Sequence, residues 1–419
     1  MKKITFFMAL CLSALTLNAV EPVPTVITLW ENSAATSKLP AWFLTTTNKT
    51  RGIGASNEYV FLPTREGVDG KSIFVFNAAT GEAVSSMNTA ALSGGTFVIN
   101  DLGVTDDGKI IAASLGANTN FKVYMYNDKD AEPTVVLHIV EAAPGGRTGD
   151  LITVTGDYSK GTAKIYTATA TAPSAIYVLG MENGTWKTER ELITTMTGVP
   201  GAVTASVAPK PNGELYWKAA GQSFKRMNPD KTVDPLGAGF SSLSGSIKYL
   251  GYSATNDLDY VALFTYGAGK ECAEILALKP GDLTTCKIIG RTATLGANAN
   301  VGGTGDLAVR YDANFNPILY VVSTNNGFGA YKIEGLGIEQ PTGVNLTKYN
   351  DLLSVYPNPA TDIITISEQA NLVKVFNTTG QLVKELYNTN TINVSDLQGI
   401  YIMNIETVNG NATRRISVK

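Results

Sequence analysis

Asp101, Asp150 and Asp306 each open a segment of one type, Asp-Leu followed by small or β-branched apolar residues, and Arg51 stands close to the same register in a fourth segment. Arg147 and Arg291 lie in neighbouring loop-like stretches. If these segments meet around one axis, the acids and arginines form a polar ring. Carboxylates in such a ring suit a cation such as calcium, a hydroxyl-rich ligand, or the acid–base work of a hydrolase or lyase. The plainer alternative, which the residue types favour, is that each Asp accepts hydrogen bonds from its own Gly-rich loop and orders the backbone there.

Other chemistry is scarce. His138 is the only histidine and sits in the apolar run Val135–Val140, so neither a Ser-His-Asp triad nor a multi-histidine metal site can be assembled. Thr105-Asp106-Asp107-Gly108 lacks the aromatic residue of a sialidase-type Asp box and reads as a turn between strands. No catalytic residue is assigned.

The elements that would position the ring repeat six times: a short apolar strand, a polar turn, then a longer and more hydrophobic strand. The pairs are Gly52–Ala55 with Tyr59–Leu62, Asp101–Val104 with Ile110–Ala113, and Asp150–Val154 with Lys164–Thr167. They continue as Ala202–Ala205 with Glu214–Trp217, Ile247–Leu250 with Tyr260–Leu263, and Asp306–Val309 with Ile318–Val321. A spacing of roughly 40–60 residues suits one four-stranded propeller blade per repeat, and no helical stripe interrupts it. The expected fold is all-β, a six-bladed propeller with seven blades as the rival. The sixth repeat supplies only three strands. The run Val26–Trp30 should return to complete that blade and remove its exposed edge. Loops feeding the innermost strands would then surround one mouth of the channel, where propellers usually bind ligands.

Residues 1–19 read as a signal peptide: Lys2 and Lys3, an apolar stretch from Ile4 to Leu17, and the small-residue site Leu17-Asn18-Ala19. No later run is long and apolar enough to span a membrane. The propeller is placed at 20–335, a linker at 336–351, and a second domain at 352–419. That last domain has short runs of near period two, separated by Asn-, Gly- and Thr-rich turns, as in a small Ig-like sandwich.

Its motifs come in a specific order. Tyr356-Pro357-Asn358-Pro359 opens it, Val373–Gly380 follows with Asn377 and Gly380, Leu397–Tyr401 carries Gly399 and Tyr401, and a basic strand ends at Lys419. This succession resembles the type A C-terminal sorting domain of the type IX secretion system of Bacteroidota. The resemblance implies export to the outer-membrane surface or the medium by way of the periplasm. It also implies partners in the secretion machinery and its sortase-like processing enzyme. The propeller part is similar to a family of secreted Bacteroidota proteins through Leu29–Glu31, Leu39–Phe43, Thr50–Gly52, Gly94–Thr96 and Gly149-Asp150, which implies fold and location only.

Composition agrees with an extracytoplasmic β protein: charged residues are 16%, glycines number 41, and net charge is −3. The average charged fraction is about 25%. With no basic patch, nucleic acid is not an expected partner. Cys272 and Cys286 flank the turn Lys279–Asp282 and are expected to form a disulfide across a hairpin. Together the residues point to a secreted or cell-surface, non-catalytic protein that binds glycan or protein ligands. The alternative is a hydrolase or lyase using carboxylates, with or without calcium, at the channel mouth.

Overall fold

A computed structural model describes residues 22–66, 70–117, 119–140, 146–169, 175–195, 205–219, 222–234, 246–267, 269–338, 353–378, 380–407 and 410–419. The expected signal peptide, 1–19, lies outside the described residues. The described chain forms strands and turns and no α-helix. It divides into two compact units, Met1–Ile338 and Glu339–Lys419.

In the first unit the strands build consecutive antiparallel blades. Blade one is Gly54–Ala55, Tyr59–Thr64, Ser72–Asn77 and Ala83–Ser86; blade two is Phe97–Val104, Ile110–Ala117, Asn120–Tyr126 and Thr134–Val140. Blade three is Arg147–Thr155, Lys164–Thr169, Ala175–Leu179 and Glu191–Thr195. It is stitched to blade two where Arg147 and Thr148 pair with Ala117 and Gly116. Blade four contributes Ser206–Pro209, Leu215–Lys218 and Lys225–Met227, and blade five Ile247–Ser253, Leu258–Thr265, Cys272–Lys279 and Asp282–Arg291. Gly305–Tyr311, Pro317–Ser323 and Gly327–Glu334 begin the last sheet, and the N-terminal strand Thr25–Ser33 completes it by pairing with Gly327–Glu334. The first strands touch in sequence, and the first strand of the last sheet returns to that of blade one, so the ring is closed.

Packing follows from the sequence pattern. The second strands Ile110–Ala117 and Leu258–Thr265 are covered on both faces because each blade is stacked between two others, and their composition is correspondingly apolar throughout. The closing strand is fixed by Trp30, whose indole lies edge-on to Phe328 at 6.0 Å and donates Nε1–H to the Ala78 carbonyl at 2.9 Å. That bond ties the last sheet to blade one. Leu336 and Ile338, which the sequence assigns to the linker, pack instead into the blade-five core with Leu250, Tyr260 and Leu307. The first strand of repeat four also differs: it is Ser206–Pro209, whereas the sequence pattern points to Ala202–Ala205, most of which lies outside the described residues.

The expected Cys272–Cys286 disulfide is not formed, and both thiols are free. The hairpin is real, but its register places the two cysteines at opposite ends. Glu274 pairs with Arg291 and Ala277 with Lys287, so Cys286 lies beside the Lys279–Asp282 turn while Cys272 lies six positions back from Leu278. At about 3.3 Å per residue the separation is roughly 20 Å, far beyond the ~7 Å Cα limit for a bridge.

The second unit is a small sandwich. Ile363–Asn377 pairs along its length with Leu382–Asn393 and, after an irregularity between Thr365 and Ala370, also with Gly399–Thr407, which pairs with Gly410–Val418. Ile364, Ile366, Val373, Val375, Ile392, Met403, Ile405 and Ile416 fill its core.

Candidate functional site

The innermost strands carry short polar residues, and these reach from blade to blade. The Asp101 carboxylate in blade two accepts the Ile152 N–H of blade three at 2.6 Å, and Asp306 in the last sheet accepts the Ile53 N–H of blade one at 3.4 Å. Between them, Thr153 donates to the Val207 carbonyl at 2.8 Å, Ser206 accepts the Ile247 N–H at 3.0 Å, and Ser246 donates to Asp306 at 2.7 Å. From blade one to blade two the link is steric. A Cβ on Gly52 would stand 2.3 Å from Asp101 Oδ1, so only glycine lets the strands approach this closely.

Asp101 and Asp306 are both essentially fully buried and hydrogen-bond to each other. Burial, then the neighbouring Asp306, raises Asp101 well above the ordinary carboxylate range, and burial also raises Asp306. Two carboxylates cannot both stay ionised at this contact, so the pair holds a proton. Its one remaining negative charge faces Lys248, whose Nζ lies 4.0 Å from Asp306 Oδ1 and 3.4 Å from Thr153 Oγ1. Lys248 starts in blade five and reaches blade three. The middle of the channel is therefore spanned by the chain's own charges. Among the described residues no group of three or more His, Cys, Asp or Glu side chains is placed to hold a metal ion.

The mouth above this layer is different in character. Asp150 is gripped by Arg147 through a fork of two bonds, Nε to Oδ2 at 2.6 Å and Nη2 to Oδ1 at 2.5 Å. Asn100 supports the same turn by donating to the carbonyls of Gly149 and Asp150, each at 2.9 Å. Arg51 and Arg65 both donate to the Asn48 carbonyl. Both also lie over the Phe97 ring, with Cζ 5.9 Å and 3.7 Å from its centroid. Asn48 is itself clamped by Asn325 of the last sheet, which accepts its N–H at 3.0 Å and donates to its side-chain oxygen at 2.9 Å. Burial, and then the charge of Arg51, pulls Arg65 down to about 10. Glu66 opposes that shift in part, while its carboxylate is ion-paired with Lys49 at 3.1 Å.

In the sandwich unit the two ends of the sequence motif meet. Pro357 and Pro359 have no N–H, and the Asn358 side chain takes over the pairing: it donates to the Arg415 carbonyl and accepts the Ser417 N–H, each at 2.9 Å. Ala360 then donates its N–H to the Ser417 carbonyl at 2.8 Å and accepts the Lys419 N–H at 2.9 Å. Gly380 and Gly399 adopt φ of 83° and 105°, which explains why the turns that hold Asn377 and Tyr401 need glycine. Tyr401 closes its turn by donating to the Gln398 carbonyl at 3.1 Å.

Residues 354–419 match the family of secretion system C-terminal sorting domains. The tail is a type IX secretion sorting domain. It marks the chain for export to the cell surface or the medium, and no helix among the described residues is long and apolar enough to cross a membrane. The propeller unit is similar in fold to the crystal structure of a DUF4623 family protein from Bacteroides eggerthii, at 17% identity and TM-score 0.58, covering 76% of this chain and 75% of that one. Looser likenesses include PorZ, a surface component of the type IX secretion system of Porphyromonas gingivalis. Its identity is 15% and TM-score 0.37, over 88% of this chain and 51% of that one. Another is the calcium-binding protein regucalcin from Agrobacterium tumefaciens, at 11% identity and TM-score 0.44, over 69% and 92%. No curated protein matches.

Of the residues singled out in the sequence, Asp101 and Asp306 converge in the channel, while Arg51, Arg147 and Asp150 lie at the mouth. The aspartates do not cap their own loops alone, since Asp101 and Asp306 accept bonds from the next blade. Arg291 belongs to neither place: it ends the outer strand of blade five and pairs with Glu274 at 2.9 Å. His138 is exposed on the outermost strand of blade two. Sequence reading passed over Arg65, Phe97 and Lys248. Arg65 directly follows a second strand, and turns at that end of the blades open on the same mouth as the loops feeding the inner strands. That shared end was the available signal.

Proposed function

We propose that the sorting domain delivers a non-catalytic binding protein whose propeller mouth engages a glycan or protein ligand on or outside the cell. The disposition of the carboxylates carries this reading. A hydrolase or lyase that works through paired carboxylates needs two acids that substrate and water reach. Asp101 and Asp306 are sealed in the channel, and Asp150 is committed to Arg147. Lys248 supplies the positive charge that a channel calcium would otherwise bring. The secretion machinery and its sortase-like processing enzyme are the partners this reading assigns to the tail. A glycan array probed with the mature protein, followed by chromatography of each bound glycan after prolonged incubation, tests it. Retention of unchanged glycan is expected, and release of shorter or unsaturated products would overturn it.

A further inference from the structure

Arg51 and Arg65 are an unusual pair. Both guanidinium groups sit over one aromatic ring and share one carbonyl, and neither has a carboxylate within ion-pair distance among the described residues. The other charges of the mouth cancel, Arg147 against Asp150 and Lys49 against Glu66. Arg65 Nε is enclosed and has no acceptor among the described residues. Two half-buried cations held side by side, with Asp150 and Glu66 acting on them only from beyond ion-pair distance, still repel each other, and one anion at their exposed side relieves that repulsion.

We propose that Arg51 and Arg65 form a receptor for a carboxylate carried on an acidic saccharide, with Arg147 at its edge. This deepens the binding reading above and rests on it. A carboxylate is favoured because the planar guanidinium fork matches its two oxygens, and because stacking on Phe97 and the clamp on Asn48 hold the forks in place beforehand. A saccharide is favoured because the side chains framing the arginines, half-buried Thr47 and Asn48 with the buried amides Asn100 and Asn325 behind them, are polar and uncharged. Peptide ligands take most of their affinity from apolar anchors in pockets, and the apolar side chain in contact with the arginines, Phe97, is taken up by their stacking.

The test is calorimetric titration of the full mature chain with a short oligogalacturonate, its methyl ester, potassium sulfate and a short oligoglutamate peptide. The oligogalacturonate should bind, and the ester, which keeps the sugar and removes the charge, should bind about tenfold more weakly or not at all. Arg65→Gln and Arg51→Gln should each weaken binding by about tenfold, and Arg65→Lys should restore only part of it. In the absence of ligand neither glutamine variant should melt earlier than the wild type, because each removes a like-charge contact. That readout separates a lost site from a lost fold. The assignment is overturned if wild type ignores the oligogalacturonate, if the ester binds equally, or if both arginine variants bind normally. It is equally overturned if the peptide or sulfate binds more tightly than the sugar. A neutral glycan bound at the mouth with no dependence on Arg51 or Arg65 would sink this proposal and leave the binding reading intact, whereas turnover of any glycan would sink the reading itself.

Discussion

Asp101→Asn separates two roles of the buried pair, as hydrogen-bond acceptor and as proton holder. In the folded chain Asp101 keeps a proton well above the ordinary carboxylate value near 3.8, because burial and Asp306 both oppose its charge. The unfolded chain releases that proton near the ordinary value. Between those limits the folded state binds more protons than the unfolded state, so its stability is fully present at low pH and falls as pH rises. The slope is about 1.4 kcal/mol per pH unit for one proton. Asparagine cannot titrate, so the slope attributable to Asp101 should vanish. The amide oxygen can still accept one of the two N–H groups now bound, Leu102 or Ile152, while the NH2 donates to Asp306. The other N–H loses its acceptor, at a cost of about 1–3 kcal/mol. The variant should therefore be less stable than wild type at about pH 4.5, and the difference should close by about 1.4 kcal/mol per unit as pH rises, until the folded pair releases its proton. All four tryptophans, Trp30, Trp42, Trp186 and Trp217, precede the sorting domain, so urea midpoints by tryptophan fluorescence report the propeller alone. Wild-type and variant curves that stay parallel across this range would show that the pair holds no proton.

Gly52→Ala places a methyl group 2.3 Å from Asp101 Oδ1 and 2.8 Å from its Cα, and should cost about 1–3 kcal/mol by the same urea assay. An unchanged midpoint would mean that blade one approaches blade two less closely than described. Cys272 and Cys286 should both alkylate in denaturant without reductant, and Cys286→Ser should leave the midpoint within about 0.5 kcal/mol of wild type. A disulfide-linked peptide in mass mapping would contradict the hairpin register. Deleting residues 352–419 should leave the tryptophan-detected midpoint unchanged while the protein accumulates in the periplasm, and normal surface delivery of the truncated chain would refute the role of the tail.

Features set by local order were legible in the sequence, and features set by register or by reach across the axis were not. The sorting motif was readable because its residues act within one small sandwich: proline removes a donor, Asn358 replaces it, and glycines turn the chain. The closing strand was readable because Val26–Trp30 is an apolar run with no partner nearby in sequence, and a three-stranded sheet was waiting for it. The cysteine pairing failed on counting. The turn was placed correctly, but Cys272 lies seven residues before Lys279 and Cys286 only four after Asp282, and bulges in the hairpin shift them further. In repeat four the described strand paired with Leu215–Lys218 is Ser206–Pro209, which local composition does not distinguish from the equally short Ala202–Ala205, most of it outside the described residues. Lys248 looked like one polar residue in an alternating strand. Nothing local says that its ammonium crosses the channel to the carboxylates of other blades.

The chain of inter-blade bonds also explains why the aspartates looked functional. A propeller closes only if each blade is tied to the next at the crowded axis, where backbone ladders run within blades and leave neighbouring strands unbonded to one another. Short polar side chains on the inner strands meet that need, and an aspartate does so best where the next blade presents a free N–H, as Ile152 and Ile53 do. At Asp101 and Asp306 the Asp-Leu pattern thus serves ring assembly, with the charge left over settled between a shared proton and Lys248, while Asp150 in the same pattern pairs with Arg147. Positions that serve closure cannot also be open to ligand, since exposing them would admit water to the bonds that hold the blades together. The binding role proposed above then falls to the rim, where Arg51 departs from the aspartate pattern of its register. Where blades two and three and the last sheet carry an aspartate, blade one carries Arg51, whose side chain lies at the mouth beside Arg65.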